Sequence, residues 1–103
     1  MRCRSCRPVP EEVRRAGLLE RRWVVSVLWA SYEGAVRFNE FKQAVGAIPP
    51  RTLAQRLVEL EQAGVLDRRV IDARPPRVEY RLTDKGRRLK HVVDAVALFA
   101  SPR

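Results

Sequence analysis

The sequence predicts a mainly α fold with one β-hairpin (α+β), and three observations lead there. Apolar residues recur at helical spacing through most of the first 63 residues. The period switches to two across residues 65–82, then becomes helical again beyond Thr83. Gly34, Gly46 and Gly64 fall where successive helical stretches should stop.

Residues 1–7 place Arg2, Arg4 and Arg7 around Cys3 and Cys6, and are expected to form a mobile basic arm. Residues 8–103 form the folded domain. Pro8-Val9-Pro10 opens a short helix, whose positive end suits Glu11 and Glu12. A longer helix is expected over about residues 20–32. Trp23, Val24, Val27, Leu28 and Ser31 mark one stripe of it, and Val25 and Trp29 are apolar as well. A helix apolar on most sides sits centrally in a core or against a partner.

Val36-Arg37-Phe38 reads as a short extended segment, and Asn39 as the N-cap of a brief helix over residues 40–45. Pro50 occupies the first turn of the next helix, about residues 50–63, where Leu53, Leu57 and Leu60 form the buried stripe. Residues 65–71 read as a strand and residues 72–76 as a turn. Residues 77–82 alternate, with Val78, Tyr80 and Leu82 on one face. Thr83 caps a last helix, about residues 84–100, striped by Leu89, Val92, Val93, Val96 and Ala100. Helix, helix, short strand, helix, helix, hairpin, helix is the order of a winged helix-turn-helix with an added terminal helix.

A chain of 103 residues makes one domain. Its size argues against a deep catalytic cleft and favours association with a second copy. The net charge of +9 implies a polyanionic partner, nucleic acid first and an anionic membrane surface second; solubility alone is the plain alternative. No apolar run reaches the roughly 18 residues of a membrane span. The first 22 residues are too charged for a signal peptide, so a cytoplasmic location is expected.

The second helix of the motif, about residues 50–63, is the one expected in the DNA major groove. Arg51, Thr52, Gln55 and Arg56 are read as facing outward near its start. Arginine can pair with the O6/N7 edge of guanine, glutamine with adenine, and threonine with either or with a thymine methyl. Glu59 and Glu61 lie at the far end, so the basic end, with its positive helix dipole, faces DNA. Solvated amphipathic helices also carry such residues. The hairpin wing over about residues 65–82 weighs towards DNA, because Arg74 and Arg77 beside Pro75-Pro76 suit the backbone or a minor groove. Arg37 and Asn39 would add backbone contacts.

Three stretches resemble HxlR-type transcriptional regulators. Arg37-Phe38-Asn39-Glu40-Phe41 is similar to the entry of their first motif helix. The run from Arg51-Thr52-Leu53-Ala54-Gln55-Arg56 to Gly64-Val65-Leu66 is similar to their recognition helix and its exit. Pro75-Pro76-Arg77-Val78-Glu79-Tyr80-Arg81-Leu82-Thr83-Asp84-Lys85-Gly86 resembles their wing and the start of the last helix. The resemblance covers about residues 10–100. It implies a cytoplasmic homodimer that binds operator DNA through a winged helix-turn-helix, with terminal helices as the dimer interface. On this chain that interface would use Val9, Val13, Leu89, Val92, Val93, Val96 and Ala100. In the family a cysteine often directly precedes a proline near the first helix and in some members is a thiol switch; here Cys6-Arg7-Pro8 stands there.

Cys3 and Cys6 are therefore candidates for redox sensing, since nearby arginines favour the thiolate; an incidental pair on an exposed tail is the plain alternative. One Cys-x-x-Cys is half of a zinc site, so no metal site is assigned. His91 has no ligand partner nearby in the sequence. With one histidine and no glycine-rich phosphate loop, neither an enzyme nor a cofactor is expected. Two rivals remain: a non-specific nucleic-acid-binding protein of nucleoid or RNA-binding type, and a protein-interaction winged helix. The effector is unknown.

Overall fold

The computed structural model describes residues 7–102. Cys3 and Cys6, and most of the expected basic arm, lie outside the described residues. The elements run α1 (Glu11–Arg15), a 3-10 segment (Ala16–Glu20), α2 (Val24–Tyr32), α3 (Phe38–Val45), α4 (Pro50–Gln62), β1 (Leu66–Ile71), β2 (Arg77–Leu82), α5 (Asp84–Arg88) and α6 (Lys90–Ala100). The expected winged helix-turn-helix order is present.

Three boundaries differ from the sequence reading. The central helix starts at Val24, because Arg21 is extended and Trp23 holds a left-handed φ of 78° that cannot continue a helix. Asn39 is not an N-cap. Helix α3 starts one residue earlier at Phe38, and Glu40 accepts from the backbone N–H groups of Val36 and Arg37, each at 2.9 Å. Arg37 is thus the capping position, stabilised by the carboxylate half of a capping box. The last helix is broken into α5 and α6 at Leu89, whose ψ of −12° loosens the helical turn.

The core is formed by Val24, Val27 and Leu28 of α2, Phe41 of α3, Ile48, the Leu53, Leu57 and Leu60 stripe of α4, Val65, Leu66 and Val93. The hairpin pairs antiparallel from Leu66↔Leu82 to Ile71↔Arg77. Val36 flanks it, accepting from the Tyr80 N–H at 2.7 Å, which is what the expected short strand amounts to. Val78, Tyr80 and Leu82 are half-buried on one face as expected.

Gly86 joins the last helices to the rest. A Cβ there would stand 2.3 Å from the Val65 carbonyl oxygen, so only glycine permits this approach. The Tyr32 hydroxyl donates to the Gly86 carbonyl at 2.7 Å, and Thr83 Oγ1 caps α5 by accepting from the Gly86 N–H at 3.1 Å. The molecule is elongated, 63 × 33 × 25 Å, with a radius of gyration of 16.1 Å. A compact chain of this length would have about 13 Å.

Candidate nucleic-acid interface

Pro49 and Pro50 start α4 without a side-chain cap, leaving its first turn to solvent. Its unsatisfied N–H groups and positive dipole end therefore remain available to an anion. Arg51 and Gln55 are exposed there and Thr52 is half-buried beside them. At the far end, Glu59 is held by Arg21 at 3.3 Å and by Arg56 at 3.1 Å.

Arg56 corrects the sequence reading. It is 8% exposed and does not face outward. Its Nε donates to the Arg22 carbonyl at 2.9 Å and its Nη1 to Glu59 at 3.1 Å. The turn at Trp23 presents that carbonyl, and the Arg22 guanidinium lies over the Trp23 ring, 4.8 Å from its centre. Arg56 thus spends its donors tying α4 to the start of α2.

Arg37, Asn39, Arg74 and Arg77 are all exposed. Arg37 and Arg77 both act electrostatically on Glu40. Those charges, after the two backbone hydrogen bonds, hold the Glu40 carboxyl below the usual glutamate range. Arg68 and Arg69, exposed on β1, add charge that the sequence reading did not single out. The alternation of β2 carried a further unnoticed signal. Glu79, on the face opposite Tyr80, is only 5% exposed because Arg81 pairs with it at 2.6 Å and Arg77 approaches at 3.6 Å.

The apolar stripe of α6 divides. Val93 is buried in the core, so it is not free for a partner, contrary to the expectation; Leu89 is half-buried and packs against that core. Val92, Val96 and Ala100 are exposed, as are Val9 and Val13 near α1. Leu98 and Phe99, 76% and 90% exposed, join them. His91 is exposed on α6. Among the described residues no cluster of metal-ligating side chains occurs, and no helix is long and apolar enough to cross a membrane.

This geometry can be set beside known proteins. The HxlR-like helix-turn-helix profile matches residues 18–102. The chain belongs to the HxlR-like helix-turn-helix family. An HTH-type transcriptional regulator of Bacillus subtilis, YvaP, is 36% identical over 92 residues, spanning 89% of this chain and 85% of the relative. Diamide-treated YodB from B. subtilis superposes with a TM-score of 0.78 at 32% identity, covering 91% of this HxlR-like chain and 94% of YodB. The redox regulator HypR in its oxidised form gives 0.82 at 33% identity, covering 89% and 97%. Other curated relatives are longer, and the aligned stretch spans 56% to 60% of three of them. The HxlR-like chain is thus a winged helix-turn-helix protein of transcription regulation, and its relatives are regulators.

Proposed function

We propose that the protein is a cytoplasmic homodimeric regulator that recognises a specific operator in double-stranded DNA. The carrying observation is the uncapped, basic start of α4, where Arg51, Thr52 and Gln55 stand at the positive end of a helix whose opposite face is buried. These three residues read base edges in the major groove. Arg37, Asn39, Arg74 and Arg77 contact phosphates or the minor groove and set the register. Val9, Val13, Val92, Val96 and Ala100, extended by Leu98 and Phe99, cover one another between two copies. Large apolar side chains left in water near α1 and on α6 of an elongated monomer favour that assembly.

Cys3 and Cys6 serve as the thiol sensor, a reading supported by the similar proteins YodB, solved in diamide-treated and reduced forms, and HypR, solved in reduced and oxidised forms. The test is fluorescence anisotropy on DNA from the protein's own upstream region, with excess unrelated duplex and with and without diamide. Binding that survives competitor, and that diamide alters, supports the reading. Equal affinity for all duplexes would favour the non-specific nucleic-acid binder instead.

A further inference from the structure

Away from the start of α4, a cavity of about 470 Å³ opens between the end of α2, the base of the hairpin and α5. Ser31, Val36, Arg69, Arg81, Leu82 and Arg87 line it. Three arginines therefore border one space, with no carboxylate among the lining residues. Each is paired with a carboxylate, Asp67 for Arg69 at 2.9 Å, Glu79 for Arg81 at 2.6 Å and Asp84 for Arg87, and Arg87 also donates to the Leu82 carbonyl at 3.1 Å. A guanidinium carries five N–H donors, so each retains donors beyond those contacts.

A second observation is independent of the charges. Ser31 is 6% exposed, and its Oγ is buried with no hydrogen-bond partner. A buried hydroxyl left unsatisfied in a folded protein needs an explanation; Ser31 Oγ is closed off from the cavity in this rotamer, so a ligand meets it only after a χ1 rotation. The carboxyl end of α2 opposes an anion with about half a negative charge. Each arginine is already balanced by a carboxylate, so the attraction comes from their unused N–H donors rather than from net charge, and arginine forks match phosphate and carboxylate oxygens. The volume lies within the range of small-molecule sites, about 300–1,000 Å³.

We propose that this cavity binds a small free anion bearing a phosphate or carboxylate group, held by Arg69, Arg81 and Arg87 and by a hydrogen bond from Ser31 Oγ. Both Arg77 and Arg81 reach Glu79, so the ligand sits one residue away from the hairpin arginine proposed to touch DNA. The site itself does not depend on that DNA reading, and its test uses the free protein.

The experiment is calorimetric titration of the free protein at fixed chloride with inorganic phosphate and with succinate, alongside spectra that resolve the arginine Nε–H groups. Saturable binding of either anion that moves the Arg69 and Arg81 signals is expected. Arg69→Gln, an exposed change that leaves the fold intact, should weaken it about tenfold, and Ser31→Ala about fivefold. Thermal melting of both variants should match the parent. Absence of saturable binding overturns the proposal, as does binding that both variants leave untouched. It is also overturned if Arg69→Gln spares anion binding and instead lowers the salt dependence of DNA binding, which would make these arginines DNA-phosphate contacts.

Discussion

Helices α4 and α6 are both amphipathic, but only one of them is completed by its own chain. In α4 the stripe of Leu53, Leu57 and Leu60 is wholly buried, and the opposite face is largely polar. In α6 Val93 alone is buried, while Val92, Val96, Leu98 and Phe99 remain in water. The difference teaches what each helix is for. One is a rigid mount whose polar face is free for a ligand, and the other has an apolar flank that a single domain of this size has no surface to cover.

The largest expected effect tests that contrast directly. Leu57→Ala should cost about 2–5 kcal/mol in urea unfolding, by lost burial and a cavity. Phe99→Ala, measured at low protein concentration, should stay within about 0.5 kcal/mol. Equal losses would mean that α6 is already packed on its own domain. Next in size is Gly86→Ala, at the joint between the two regions. A Cβ driven against the Val65 carbonyl should destabilise the fold by about 1–3 kcal/mol, with early hydrogen exchange in α5 and α6.

Adjacent residues of α4 sharpen the comparison further. Arg56→Ala should lower stability by about 1–2 kcal/mol, leaving the Arg22 carbonyl unpaired, without changing base preference. Gln55→Ala should do the reverse, with near-parental stability and relaxed preference at one base pair. If Arg56→Ala instead relaxes base preference at unchanged stability, Arg56 leaves its buried position to read DNA. The smallest effect concerns pH. The folded Glu40 carboxyl is held below its unfolded value, so its contribution is present above that unfolded value and fades as pH falls through the folded one. Glu40→Gln should therefore lose a little stability at neutral pH and show a shallower acid transition than the parent.

Much of the site was visible in spacing, and Arg56 shows how it was misread. Positions 53, 56, 57 and 60 are i, i+3, i+4 and i+7, one face of a helix, so periodicity already put Arg56 in the buried stripe. Its charge argued for solvent, and nothing local revealed that a carbonyl 34 residues away would receive it. The division of the last helix had a similar cause. Leu89 and Val93 are four apart and face the core, whereas Val92 and Val96 lie about a sixth of a turn round. Apolarity alone marked both pairs as one stripe.

The sequence by itself determined the order of elements, the period change at the hairpin, the stops near Gly34, Gly46 and Gly64, and the basic character of the α4 start. These follow from propensities and spacings that act within a few residues. Only the tertiary structure decided that Arg56 and Glu79 are buried, that Ser31 lacks a partner beside three arginines, and which flank of α6 stays in water. Burial and hydrogen-bond satisfaction depend on what distant parts of the chain bring alongside, as Tyr32 and Gly86 meet across 54 residues.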